Sequence, residues 1–344
     1  MKKLRVLVLC HPQLMPPESL EGFSEKEILF WKTEYDVVTT LRANGHEVKA
    51  LGVQYELQPI RDEVDNWNPD VVFNLLNEFH GETLYSQNVA AFLELLRVPY
   101  TGCNPRGLVL AQGKDTSKKL LKYHRIPVPA FEVYPIGRKA TRKPGRIKYP
   151  MIVKSTTEDG SYGISQASVV DSDEALAARV AFIHERVKTA AIVEEYIDGR
   201  EIYVSVFGND RLRALPIWEM EFSRLPAGAL PIATEQAKHN PEYQARRGVI
   251  DGPCAGLEPN AESYIRELAK RICRALELDG YARIDFRLAR DGTPYFIEAN
   301  PNPEIALGDE FASSALHDGM TYGDLLNRIC ALGIKRAGED ADAE

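Results

Sequence analysis

The chain has 344 residues and a mass of 38.6 kDa, 44% of it hydrophobic, which is enough to bury more than one core in two or three lobes. Its net charge of -8, with both signs mixed along the chain, argues against nucleic acid as the main partner, although a local basic groove is compatible with it. No apolar run approaches the roughly 20 residues of a membrane helix, and Cys10, Cys103, Cys254, Cys273 and Cys330 show no Cys-x-x-Cys spacing. Reduced thiols in a cytoplasmic protein are therefore expected, with no membrane partner.

From residue 4 to about 112, buried strands alternate with amphipathic helices. The strands are Leu4 to Leu9, Glu47 to Gly52 and Val71 to Asn74; the helices are about Ser24 to Asn44 and Ser86 to Leu96. Ser24 followed by Glu27 fits a capping box, and Gly45 fits a helix C-cap. This pattern predicts an open, mostly parallel α/β lobe over residues 1–112. Ligands in such sheets lie beyond the carboxyl ends of the strands, which makes the loops at His11 and at Asn74 to Glu82 the substrate side and singles out His80 and Glu82.

Gly113 opens a basic helix (Thr116 to His124), and the run from Gly137 to Arg146, basic and broken by Pro and Gly, predicts an exposed connection between strands. The strand Tyr149 to Lys154 carries one lysine at its end and runs into Thr156-Thr-Glu-Asp-Gly160-Ser161-Tyr162-Gly163, a loop whose glycines and hydroxyls let backbone approach phosphate oxygens. A helix (Ser172 to Val187), a strand (Ala191 to Tyr196) and a turn at Asp198 to Glu201 leading into another strand complete a small α+β lobe over residues 113–206.

Residues 207–336 form a third lobe with the most informative pattern. Gly280-Tyr-Ala-Arg283-Ile-Asp285-Phe-Arg-Leu passes through Asp291-Gly292 into Tyr295-Phe-Ile-Glu298-Ala-Asn300-Pro, an alternating hairpin. Residues two apart share a sheet face, so Arg283 with Asp285 and Glu298 with Asn300 converge if the register agrees. The alternative is a set of ordinary polar residues on a solvated face. Asp285, Glu298 and Asn300 are hard oxygen donors of the kind magnesium takes, and Arg283 suits an oxyanion. The seven histidines show no zinc-ligand spacing, no Ser/His/Asp or Cys/His motif stands out, and the acidic tail 337–344 is expected to be disordered.

In order, Lys114, Val-Lys154 with its Gly-Ser-x-Gly loop, Glu194-Glu195-Tyr196-Ile197 with Gly199-Arg-Glu201, Arg283-x-Asp285 and Glu298-x-Asn300 resemble the ATP-grasp superfamily. With the early His-Gly pair and Tyr100-Thr101-Gly102, the chain is similar to D-alanine-D-alanine ligases over residues 4 to 335. The resemblance implies a three-lobed ATP-grasp enzyme with ATP between the second and third lobes. It implies ATP phosphates on Lys114 and Lys154, covered by Gly160, Ser161 and Gly163, and adenine on the backbone of Glu194, Glu195, Tyr196 and Ile197. Ribose would fall to Glu201, and one or two magnesium ions, or manganese, to Asp285, Glu298 and Asn300. Arg283 and Lys238 take the catalytic roles, at the tetrahedral intermediate and the γ-phosphate. The implied chemistry is carboxylate activation as an acylphosphate followed by attack of an amine, on small amino-acid or amine substrates, in a homodimer joined through the first lobe.

Departures from the family pattern fall on the substrate side. Where the family has a glycine and a carboxylate-binding serine, this chain has Glu304 and Asp309, and the holder of the first substrate's ammonium is open among Glu18, Glu21 and Glu34. Ser155 also replaces the proline usual after the strand lysine. Two other readings are a ligase of the same mechanism acting on a different amino acid, peptide or amine outside cell-wall synthesis, and a silent ATP-binding regulatory module.

Overall fold

The amino-terminal apolar runs form β1 (Arg5–Cys10), β2 (Glu47–Gly52) and β3 (Val71–Asn74), paired in parallel in the order β2-β1-β3. The computed structural model describes residues 2–158 and 160–342, with the backbone alone for His239 and residues 339–342. Helix α1 (Glu25–Ala43) starts at Ser24, whose hydroxyl accepts from the Glu27 N–H while the Glu27 carboxylate accepts from the Ser24 N–H. The helices α2 (Gln58–Trp67), α3 (Ser86–Leu95), α4 (Pro105–Gln112) and α5 (Lys114–Tyr123) follow. The short α2, headed by Pro59 near its first turn, is an element the apolar pattern did not reveal.

The next sheet contains β4 (Phe131–Tyr134), β5 (Met151–Ser155), β6 (Val169–Val170) and, after α6 (Asp173–Phe182), β7 (Ala191–Glu195). Its order is β4-β7-β5-β6, antiparallel throughout. The chain then enters a six-stranded sheet. In sequence it comprises β8 (Gly199–Phe207), β9 (Arg213–Ala214), β10 (Trp218–Phe222), the short helices α7 (Glu235–His239) and α8 (Pro241–Arg247), β11 (Val249–Pro253), α9 (Pro259–Ala275), β12 (Tyr281–Ala289) and β13 (Pro294–Pro301). The long β8–β12 ladder forms its middle, and α10 (Glu310–His317) and α11 (Tyr322–Asp342) close the chain.

Two boundaries differ from the sequence expectation. β8 hydrogen-bonds to β12 and β10, so the central lobe ends before Gly199 and not at 206. Leu121 and Ile126 join a core that runs from β1 through α9 to β13, so the segment from 113 to about 129 packs with the outer lobes. The central lobe keeps a core of its own, built on Met151, Val153, Leu176, Val180 and Val193. The acidic tail, expected to be disordered, is helical through Asp342, because α11 continues past its last buried apolar turn; residues 343–344 lie outside the described residues. Among the described residues no helix is long and apolar enough to cross a membrane.

The Tyr100-Thr101-Gly102 segment fixes the end of β13. Gly102 has φ +92°, and a Cβ there would lie 2.5 Å from Asn302 Oδ1, an atom that accepts from the Cys103 N–H at 2.7 Å. The Thr101 hydroxyl accepts from the Asn74 N–H, tying this turn to the end of β3. The first lobe is thereby clamped to the Asn-Pro-Asn-Pro segment that follows the hairpin.

Candidate active site

The β12–β13 hairpin carries the centre of the site. Its register places Arg283 opposite Asn300 and Asp285 opposite Glu298, with a bulge after Asp285, so the four predicted side chains lie on one sheet face as two facing pairs. The pairs open in different directions. Asp285 and Glu298 border a narrow cleft between the central sheet and the six-stranded sheet. Arg283 and Asn300 border a wider cavity against the first lobe. Lys238, on α7, borders both.

Lys154 and Glu194 line the narrow cleft together with Glu195, Tyr196, Ile197, Glu201 and Ser161. The Glu194 carboxylate is fully buried between Lys154 Nζ at 3.3 Å and Lys118 Nζ at 3.0 Å. Burial alone would raise this carboxyl, but the two lysines outweigh it and hold it below its ordinary range. The Glu195 N–H donates to the Ala130 carbonyl and the Tyr196 N–H to the Pro150 carbonyl. Ile197, the last residue of the predicted adenine segment, also lines the cleft. Glu201 accepts from Arg287 at 3.2 Å and from the Tyr203 hydroxyl at 3.3 Å.

At the other end Lys114 Nζ lies 3.2 Å from Glu298 and donates to the Glu158 carbonyl at 2.7 Å. Burial pushes the Glu298 carboxyl up, yet Lys114, Lys238, Lys154 and Arg283 together hold it far below the usual carboxylate range. The Gly160–Gly163 turn folds against this end. Gly160, Ser161 and Gly163 all have positive φ, and the Ser161 hydroxyl donates to the Ala233 carbonyl at 2.8 Å. Arg179 donates to the Gly163 carbonyl and to the Ser168 hydroxyl, holding the turn from behind.

The hard oxygens of Asp285 and Glu298 face one another, and Asn300 carries a buried amide nitrogen without a hydrogen-bond partner among the described residues. Arg283 grips Asp285 through Nε at 2.8 Å and Nη2 at 3.0 Å, using one lone pair on each carboxylate oxygen and leaving the others available. Two carboxylates and the amide oxygen of Asn300 are the hard-oxygen set that fits a magnesium ion also carrying phosphate oxygens and waters, with Lys114 alongside to share the phosphate charge. Among the described residues no cluster of three or more His, Cys, Asp or Glu is placed to hold a metal, as this donor set does not require one.

The structure does not bring His80 and Glu82 to these cavities. His80 turns through a positive φ, and its Nε2 meets the Tyr55 carbonyl at 2.9 Å, while Glu82 is exposed. Glu78 and Thr83 from the same loop line the wide cavity instead. Glu304 and Asp309 do line it, as expected. Of the three ammonium-holder candidates, Glu18 is exposed and paired with Arg42 and Glu21 is exposed, whereas Glu34 is buried against an adjoining cavity.

Two site residues escaped the sequence reading. Lys118 is fully buried, touches Glu194 and donates to the Ile297 carbonyl. Its position four residues after Lys114 puts both on one helix face, a signal that was available. Arg287 bonds Ile197 O, Pro231 O, the Tyr196 hydroxyl and Glu201, and it continues the Arg283-x-Asp285 alternation by one more step.

A cleft between two antiparallel sheets, lysines at one end and a carboxylate hairpin beside a second cavity define an ATP-grasp ligase. The family model of the D-ala D-ala ligase C-terminus matches residues 120–331. A D-alanine–D-alanine ligase of Desulfotalea psychrophila is 30% identical over 271 residues, 78% of this chain and 79% of that protein. An uncharacterised protein of Sinorhizobium fredii is 33% identical over 266 residues, 77% and 75% of the two chains. In fold, the Bacillus anthracis D-alanine–D-alanine ligase complexed with ATP superposes with a TM-score of 0.74 at 21% identity, covering 99% of this chain and all of that one. The chain belongs to the D-alanine–D-alanine ligase family, and it is an ATP-dependent enzyme that forms carbon–nitrogen bonds.

Proposed function

We propose that ATP lies in the narrow cleft with its γ-phosphate at Lys238, and that the wide cavity holds the two substrates, an amino acid whose carboxylate is activated and an amine that captures it. The observation that carries this reading is the hairpin register, which aims one polar pair at each chamber. Ile197 and its neighbours take adenine, Glu201 takes the ribose hydroxyls, and Lys114 and Lys154 offset the phosphates with the Gly160–Gly163 turn above them. Asp285, Glu298 and Asn300 would hold magnesium, or manganese in its place, which supplies charge neutralisation on the phosphate oxygens when bound.

A carboxylate oxygen of the first substrate bonds to the γ-phosphorus as ADP departs. The amine nitrogen then bonds to the acyl carbon, the carbon–oxygen bond to phosphate breaks, and phosphate leaves with that electron pair. Arg283 faces the oxygen on which negative charge grows, while the side chain of Asp285 fixes its guanidinium in plane. Positioning and charge balance carry the reaction, so the lack of a nucleophilic side chain is expected. D-alanine, the substrate named for the relatives, is the first amino acid to test as donor.

ADP release with D-alanine, and then with a panel of D- and L-amino acids, measures this directly. Release should require magnesium or manganese and fall by about 100-fold or more in Glu298→Gln and in Asp285→Asn. Unchanged release in both variants would remove the metal assignment.

A further inference from the structure

Helix α1 presents a carboxylate where its helical pattern calls for an apolar residue. Glu34 shares a buried stripe with Val37, Val38 and Leu41 and is 5% exposed. Among the described residues its carboxylate meets no hydrogen-bond or ion-pair partner beyond its own backbone N–H. It borders a cavity that Glu304 and Asp309 also line. Burial pushes both Glu34 and Asp309 up to about 7, and the neighbouring charge of Glu304 adds to the rise in each.

The chamber has two cations on its wall. Lys32 is turned to Asp36, 3.5 Å away, and to the Leu307 carbonyl, and Lys238 lies over the Tyr203 ring on the side of the γ-phosphate junction. Asp309 also accepts from the Ala306 N–H at 2.9 Å, which holds the loop so that it keeps its acidic side to the cavity. An acceptor carboxylate would meet these three acids, whereas an ammonium would offset them. The same wall includes Leu29 and Phe30, 55% and 53% exposed, two adjacent apolar side chains against which methylenes can lie.

We propose that this chamber is the acceptor subsite and selects an aliphatic primary diamine. One ammonium sits among Glu34, Glu304 and Asp309, the methylenes run against Leu29 and Phe30, and the second, unprotonated amine reaches the junction at Lys238 and Arg283. This rests on the ligase reading. The free amine nitrogen forms the bond to the acyl carbon, phosphate leaves with the carbon–oxygen electron pair, and the proton lost from nitrogen passes to solvent. The distal ammonium takes no part in the bond changes.

Calorimetry on the full chain with magnesium and a non-hydrolysable ATP analogue tests this without knowledge of the donor. The analogue should bind, and 1,4-diaminobutane should then bind at least 10-fold more tightly than D-alanine, whose carboxylate the three acids repel. Glu34→Gln should erase about 10- to 100-fold of the diamine preference while analogue binding, which also reports folding, stays unchanged. D-alanine binding as tightly as the diamine, or a diamine preference intact in Glu34→Gln, would overturn the subsite and leave the ligase standing. Failure of the wild-type chain to bind the analogue would bring down the ligase reading and this inference with it.

Discussion

The two chambers served by one hairpin have opposite electrostatic characters. Around the narrow cleft, buried carboxylates are matched: Glu194 has two lysines, Glu298 has Lys114, and Glu201 has Arg287. In the chamber beside α1, Glu34 is buried and Asp309 half-buried, neither in an ion pair among the described residues, and both are pushed up to about 7. The first arrangement is complete as a protein and receives a polyanion with cations already fixed in place. The second remains uncompensated until a ligand arrives. On the proposed reading, charge pairing separates the part of the site that serves the nucleotide from the part that sets substrate choice.

The largest expected effect breaks the matched side. Lys118→Met leaves Glu194 with a single partner in a dry environment and should destabilise the chain by about 3–5 kcal/mol. Denaturant unfolding measures this, and adding Glu194→Gln should recover part of the loss through the coupling between the two positions. A Lys118→Met chain as stable as the parent would show that Lys154 alone suffices.

On the unmatched side the sign reverses. Glu34 ionises near 7 when folded and near its ordinary 4.5 when unfolded, so its folding penalty is absent at pH 4, grows through the interval between those values and is complete above pH 7. Glu304 and Asp309 face it as like charges, and Lys32 and Lys238 are the nearby cations. Glu34→Gln should match the parent at pH 4 and gain stability by up to about 3 kcal/mol at pH 8. Thermal melts across that range check it, and a variant less stable at pH 8 would mean that the carboxylate is already compensated.

Smaller effects sharpen the contrast at the junction. Arg283→Ala should lower turnover by roughly 100-fold with nearly unchanged ATP affinity, since its role begins when charge develops on the acyl oxygen. A large loss of ATP binding would instead place Arg283 with the nucleotide. Ser161→Ala removes one neutral hydrogen bond to Ala233 and should raise the KM for ATP by about 5-fold, near 1 kcal/mol. An unaltered KM would mean that this contact does not hold the turn over the nucleotide.

Much of the nucleotide side was legible because strand alternation and hairpin register are local rules. Arg283, Asp285, Glu298 and Asn300 met as those rules require, and the Ser24–Glu27 box marked the start of α1 to the residue. Lys118 and Arg287 obey the same periodicities and were missed because neither stands in a motif of its own. The sequence reading leaves Glu34 open beside Glu18 and Glu21, although its place on the 34, 37, 38, 41 stripe of α1 marks a buried helix face. His80 illustrates what local pattern does not encode. Its loop turns through the left-handed region at His80 and Gly81, and that reversal sends the ring toward Tyr55 instead of the cavity. The end of the central lobe was misplaced for a related reason, since the partner of β8 lies some eighty residues further along the chain.

The placement of Glu34, Glu304 and Asp309 bears on how this enzyme diversifies. None of them lies in a strand: one is on α1, and the other two are in the connection between β13 and α10. Exchanging them alters no ladder hydrogen bond and no residue of the nucleotide cleft. If these three residues select the acceptor as proposed, a lineage carrying this scaffold can change what it joins by a few substitutions at the chamber wall while its phosphoryl-transfer machinery is inherited intact.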